Sequence, residues 1–149
     1  MFHLAIGDKA PAINAVNQNG EKITLTQFKG KKVVLYFYPK DNTPGCTVQA
    51  CNLKDNYAAL LKKGYAVIGV STDSETSHKK FIEKFSLPFP LIADTDKKVA
   101  LDYGVWGLKK FMGKEYDGMH RTTFVIDEKG IIENIITKVE TKNHANQII

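Results

Sequence analysis

From Val33 to Tyr38 the chain reads Val-Val-Leu-Tyr-Phe-Tyr, with no charged position and β-branched or aromatic residues at five of the six places. Such a run predicts a central strand buried on both faces, stopped at Pro39. A second buried run, Ala66 to Ser71, and a short one, Pro90 to Ala93, predict further strands of the same sheet. Two hairpins stand out by their turns. Ile13 to Val16 and Lys22 to Leu25 flank an Asn19-Gly20 pair, and Thr122 to Ile126 and Ile131 to Ile136 flank Asp127-Glu128-Lys129-Gly130.

Between the strands the apolar period changes. Val48, Cys51, Leu53, Tyr57, Leu60 and Leu61 recur at helical spacing, which predicts one helix from Pro44 to the basic stop Lys62-Lys63-Gly64, with its buried side along that stripe. Thr43 suits the cap and Pro44 the first turn, where a missing N–H costs nothing. Ser74 to Phe85 and a segment around Asp96 to Tyr103 read as helices, and Gly104 to His120 as a long loop. Alternating strands and helices, with antiparallel pairs at the ends, predict an α/β fold: a central mixed sheet flanked by helices, with an N-terminal hairpin.

With 149 residues, 43% of them hydrophobic, the chain can bury a full core, and a single domain over 1–149 is expected. Its longest apolar run is too short to cross a bilayer, and the first residues show no export signal, so a cytoplasmic protein without a membrane partner is expected. The net charge of +5 raises the question of nucleic acid. The lysines, however, fall in scattered doublets between acidic residues, with no basic block and no aromatic–basic motif, the pattern of a solvated surface.

Both cysteines lie in "YPKDNTPGCTVQAC", at positions 46 and 51. A domain with core enough to fold needs no disulfide framework, and in a reducing compartment such a pair calls for a chemical role. Cys46 falls in the first turn of the predicted helix, where aligned peptide dipoles and unpaired N–H groups favour a thiolate, the nucleophilic form. Cys51 lies about one and a half turns on, along the apolar stripe. In an intact helix five residues separate Cα atoms by roughly 8–9 Å. A disulfide needs them closer than about 7 Å. A bond between Cys46 and Cys51 therefore requires the segment between them to unwind.

Other chemistries fit less well. His3, His78, His120 and His144 are scattered singly and read as surface histidines, so no zinc site is expected. A Cys-x-x-Cys dithiol motif and a haem-attachment motif are both absent. Gly107 to Glu115 superficially suggests a phosphate loop but has the wrong spacing and no Ser or Thr after the lysine. No cofactor or metal is expected.

Pro39, Thr43 and Cys46 stand as P-x-x-x-T-x-x-C after a strand, which resembles the active-site motif of the peroxiredoxins. The fuller "FYPKDNTPGCTVQAC" resembles their Q-type branch, the bacterioferritin comigratory proteins. Supporting matches run along nearly the whole chain: "GDKAP" near the start, "GVSTD" at 69–73, "YGVWG" at 103–107 and "HRTTFVIDEKG" at 120–130. The resemblance implies a thioredoxin-like fold, reduction of hydrogen peroxide and organic hydroperoxides, and recycling by thioredoxin or a similar dithiol protein. It implies Cys46 as the peroxidatic nucleophile, passing through a sulfenic acid, and Cys51 as the resolving cysteine of an intramolecular disulfide. It further implies that Thr43 positions peroxide, that Arg121 favours the thiolate and polarises the peroxide, and that Pro39 shields the site. The backbone N–H groups of Gly45 and Cys46 are candidate donors to the substrate.

Two features depart from the pattern. Many peroxiredoxins carry Glu where this chain has Gln49, and family members usually continue into a final helix longer than Asn143 to Ile149. Trp106, Phe111 and Met112 are read as core packing rather than a partner surface. The branch implies a monomer. A thiol–disulfide reductase and a noncatalytic redox sensor are the rival readings, the first opposed by the missing Cys-x-x-Cys.

Overall fold

The computed structural model describes residues 3–149, the side chain of Phe111 excepted. β1 (Asn14–Val16) and β2 (Lys22–Thr24) form the N-terminal hairpin, and a short 3-10 turn, Leu25–Phe28, leads to β3 (Lys32–Phe37). Then follow α1 (Pro44–Asp55), α2 (Tyr57–Lys62), β4 (Tyr65–Ser71), α3 (Glu75–Phe85), β5 (Leu91–Ala93) and α4 (Lys98–Asp102). The chain closes with β6 (Trp106–Phe111), β7 (Lys114–Met119), β8 (Thr122–Ile126), β9 (Ile132–Ile136) and α5 (His144–Ile148).

A five-stranded sheet in the order β5-β4-β3-β8-β9 forms the centre. Its β3, β4 and β5 run parallel, whereas β8 and β9 are antiparallel, so the sheet is mixed as predicted. Because side chains alternate along a strand, β3 feeds two cores. Val33, Leu35 and Phe37 pack with Ile68, Tyr103 and Phe124 on one face. Val34, Tyr36 and Tyr38 pack on the other with Cys46, Ala50 and Leu53 of α1, Leu60 of α2 and Phe81 of α3. The continuous apolar run is thus explained by burial on both sides, and the end of β3 delivers the chain directly to α1.

The long predicted helix is interrupted. Asn56 leaves helical geometry, and its side-chain amide donates to the carbonyl of Asn52 at 2.8 Å, so α1 and α2 are separate pieces. Asparagine offers the backbone this local alternative. The buried face also differs from the predicted stripe. Cys46, Gln49, Ala50 and Leu53, at i, i+3, i+4 and i+7, face the core, while Val48 is 38% exposed and Leu61 48%. Cys51 sits at the flank, half-buried rather than inside.

The segment from 104 to 120 is not a loop. β6 and β7 pair antiparallel through the turn Met112-Gly113, where both residues have positive φ, 52° and 78°, as a two-residue hairpin turn demands. Its apolar residues, Trp106, Leu108, Phe111, Met112 and Met119, are interspersed with glycine and charge without a regular alternation, so nothing in the pattern announces the strands. Met112 is 85% exposed and Trp106 packs partly against the core; the packing expected of Phe111 concerns a side chain outside those described. α4 is shorter than predicted, because Lys97 takes a left-handed conformation and Asp94 accepts the N–H groups of Val99 and Ala100 at 3.0 and 2.9 Å.

Candidate active site

Thr43 precedes α1 in an extended conformation, and Pro44 occupies the first helical position. The expected cap bond is not made. The Thr43 hydroxyl instead donates backwards to the carbonyl of Lys40 at 2.9 Å, closing the loop that links β3 to α1. Three residues after Thr43, Cys46 is 2% exposed and has its thiol on the sheet side of the helix.

Arg121, from the residue before β8, reaches the same point. β8 lies beside β3 in the sheet, which carries the start of β8 to the end of β3 where α1 begins. Arg121 Nη2 donates to Cys46 Sγ at 3.1 Å. Its Nη1 donates to Gln49 Oε1, one turn along α1. The planar guanidinium thus spans the sulfur and a neutral acceptor, which fixes its plane. A Cβ placed on Gly45 would stand 3.4 Å from Arg121 Nη2, so Gly45 lies directly beside that nitrogen.

Nearby groups register these charges. Burial pushes the Tyr36 phenol well above its ordinary range, and the Cys46 sulfur adds to the effect. Burial, then the charge of Arg121, holds the Lys109 ammonium below its ordinary value, while Cys46 acts the other way. The β6–β7 hairpin therefore lies against the site, with Lys109 Nζ donating to the carbonyl of Met119 at 2.8 Å. Among the described residues, the Tyr36 hydroxyl and Gln49 Nε2 are buried without a hydrogen-bond partner.

Of the residues singled out in the sequence, Cys46, Arg121 and Gly45 converge, and Gln49 joins them. Cys51 stays apart: both thiols are free, within one continuous α1. Pro39 is half-buried at the exit of β3. Two histidines read as surface residues are in fact fully buried, His78 against Asp41 and His144 against Thr123. A lone histidine in a polar stretch carries no sign of its burial; the distant acceptors that solvate it come only with the fold. Asp41, Asp73 and His78 bring ligand-type atoms within 4.8 Å of one another, each of them engaged in hydrogen bonds within the protein.

A thioredoxin-like sheet, with a buried cysteine sulfur at a helix start and a guanidinium donating to it, defines a thiol redox protein. The AhpC/TSA family model matches residues 6–135. The chain is 48% identical to peroxiredoxin Bcp of Escherichia coli over 149 residues, covering all of this chain and 96% of that protein. It is 44% identical to peroxiredoxin Bcp of Bacillus subtilis over 146 residues, covering 98% and 93%. Among solved structures, the bacterioferritin comigratory protein of Xanthomonas campestris, described for its alkyl peroxide reduction activity, superposes with a TM-score of 0.87 at 30% identity, covering 99% and 94%. The chain belongs to the AhpC/TSA family and, within it, to the Q-type peroxiredoxins.

Proposed function

We propose that this protein is a thiol-dependent peroxidase, acting as one domain, in which Cys46 is the nucleophile. The observation that carries it is the 3.1 Å donation from Arg121 Nη2 to Cys46 Sγ at the start of α1. A guanidinium N–H aimed at sulfur stabilises an anion there more than a neutral thiol. The thiolate attacks one peroxide oxygen, the O–O bond breaks, and the electron pair leaves on the distal oxygen as hydroxide or alkoxide, which takes a proton. Sulfur is oxidised to the sulfenic acid, and the peroxide is reduced to water or alcohol. Donors placed beforehand stabilise the departing anion: the Arg121 guanidinium and the N–H groups of Gly45 and Cys46, with the Thr43 hydroxyl orienting the peroxide and Pro39 limiting water. Hydrogen peroxide and alkyl hydroperoxides are the substrates, in line with the activity named for the Xanthomonas relative.

Resolution follows within the chain. α1 unwinds between Cys46 and Cys51, the Cys51 thiolate attacks the sulfenic sulfur, and water leaves as the disulfide forms. A dithiol protein such as thioredoxin then reduces the disulfide, restoring two thiols. We place this cycle in the cytoplasm and in a monomer; among the described residues no helix is long and apolar enough to cross a membrane.

The test is intact mass and free-thiol count after one equivalent of hydrogen peroxide, on wild type and on Cys51→Ser. The expected result is loss of two hydrogens in wild type and a trappable sulfenic acid at Cys46 in the variant. A wild type that stops at the sulfenic acid, with Cys51 free, overturns the intramolecular step. Two unreacted thiols overturn the peroxidase itself.

A further inference from the structure

Between β3 and α1 the chain passes through Pro39, Lys40, Asp41, Asn42 and Thr43, and the middle of this loop is its most tightly held part. The Asp41 carboxylate is buried and fully engaged. Tyr38 Oη donates to its Oδ1 at 2.6 Å, Ser77 Oγ donates to its Oδ2 at 2.8 Å, and His78 Nδ1 lies 2.7 Å from the same Oδ2. The Asp41 backbone N–H donates to Asp73 Oδ2 at 2.7 Å, and Asp73 in turn accepts from Ser71 Oγ at 2.8 Å. His78 is itself fixed from behind, with Nε2 2.8 Å from the carbonyl of Ile92 in β5. Both ring nitrogens therefore face acceptor atoms. The two contacts exist together only when two hydrogens are shared among the ring and the Asp41 carboxylate.

The residue that follows explains why so much holds Asp41. Asn42 has φ of 58°, a left-handed conformation that asparagine adopts more readily than other non-glycine residues and that turns the chain here. Immediately after it, Thr43 sends its hydroxyl back to Lys40. The position of that hydroxyl thus follows from the left-handed step at Asn42, which directly follows Asp41; Asp41 in turn is held by Asp73, bonded to Ser71 of β4, and by Ser77 and His78 of α3, the latter bonded to β5.

We propose that Asp41 and His78 are a positioning pair for the peroxide reaction: they hold the loop that sets Thr43, with its hydroxyl on the Lys40 carbonyl, at the start of the helix that carries Cys46. Neither touches the reacting atoms. Loosening the pair lets the step at Asn42 shift, displaces Thr43 and slows attack on peroxide, while the thiol and its Arg121 contact stay in place. The proposal rests on Cys46 being the peroxide nucleophile.

The experiment measures the second-order rate of Cys46 oxidation by hydrogen peroxide, and in parallel its alkylation by iodoacetamide, which needs no substrate-orienting hydroxyl. Asp41→Asn and His78→Gln are each expected to slow oxidation by about tenfold or more, since a displacement near 1 Å suffices for that, and to leave alkylation within about twofold. Added to Thr43→Val, Asp41→Asn is expected to cause no further loss, the sign that both act on one element. Ser77→Ala removes a single donor to Asp41 from a part-exposed position and is expected to slow oxidation in the same direction by about two- to threefold even if the other variants do not fold. Unchanged oxidation in Ser77→Ala and Asp41→Asn, equal losses of oxidation and alkylation, or losses that multiply with Thr43→Val would each overturn the pair's role. A wild type unreactive toward peroxide would instead remove the premise.

Discussion

Arg121 and Cys46, 75 residues apart in the chain, meet because β8 pairs beside β3: the arginine precedes one strand and the cysteine follows the other, at the same end of the two strands. The fork of the guanidinium serves two acceptors at once, Sγ and Gln49 Oε1. Lysine keeps the charge but offers a compact ammonium that cannot span both. Arg121→Lys is expected to slow Cys46 oxidation by about tenfold and Arg121→Ala by about a hundredfold or more, the scale of losing a preorganised donor. Stopped-flow kinetics with hydrogen peroxide check this; equal rates for arginine and lysine would show that charge alone suffices.

Gln49 holds the other arm of that fork. Gln49→Met keeps the volume and deletes the acceptor, leaving a buried donor of Arg121 without this partner, at a cost of about 1–3 kcal/mol in stability. Oxidation slows with it, because the guanidinium loses its fixed plane. Gln49→Glu restores an acceptor and is expected to return the oxidation rate to within a few-fold of wild type. Urea unfolding and peroxide kinetics on the three proteins decide whether Gln49 orients Arg121 or merely fills space.

Behind Cys46 the sheet admits no larger residue at 69. A Cβ on Gly69 would lie 2.5 Å from Leu91 Cδ2 and 2.9 Å from Tyr36 Cζ, so both the Leu91 side chain and the Tyr36 ring must give way. Gly69→Ala is expected to destabilise the fold by about 1–3 kcal/mol, the usual range for overpacking. A thermal midpoint unchanged from wild type would mean that the core around Tyr36 gives way more readily than its burial suggests.

The strands buried on both faces, the two flanking hairpins and α3 are legible from apolar runs and turn residues, because each is specified by neighbours in sequence. Thr43, Pro44 and Cys46 could be placed at a helix start for the same reason. What escaped depended on partners that sequence does not bring together. The β6–β7 hairpin carries its apolar residues without a strand alternation, of its described side chains only Met119 and part of Trp106 reach the core, and its turn falls at Met112-Gly113. The break at Asn56 turns on one side-chain hydrogen bond. Arg121 could be matched to the site only by resemblance, since its approach to Cys46 is a product of strand order, and His78 and His144 reveal their burial only with their acceptors in place.

His144 gives a pH dependence. Thr123 Oγ1 lies 2.7 Å from its Nε2 and Gln147 Oε1 lies 2.7 Å from its Nδ1, an arrangement that a neutral ring satisfies, accepting from the threonine and donating to the glutamine. Burial holds its pKa below the ordinary 6.5; the Gln147 bond opposes this, and the charge of Arg121 adds to it. Since the folded value is depressed, the unfolded chain takes up the proton first as pH falls. The stability that His144 contributes is therefore full above about pH 6.5 and is lost progressively below it. Melting temperatures between pH 7.5 and pH 5, as about the accessible range, are expected to fall less steeply in His144→Gln than in wild type. Parallel slopes would assign the acid sensitivity to other groups.

Asn52 ties α1 to α5. Its Nδ2 donates to the carbonyl of Lys142 at 2.9 Å, and its Oδ1 accepts the N–H of Ala145 at 2.8 Å. It directly follows Cys51, so it anchors the helix at the end of the segment that must unwind before the two sulfurs can meet. Asn52→Ala removes both bonds, worth about 1–3 kcal/mol together, and loosens the wound state relative to the unwound one. Once the sulfenic acid has formed, disulfide closure in Asn52→Ala is expected to run roughly five- to tenfold faster, while formation of the sulfenic acid, which takes place in the wound helix, is unchanged. Quenched-flow mass spectrometry separates the two steps, because the sulfenic acid adds one oxygen and the disulfide removes two hydrogens. Closure at the wild-type rate would show that unwinding stops short of Asn52 and that α5 plays no part in it; slower formation of the sulfenic acid would show that the anchor shapes the reactive helix itself.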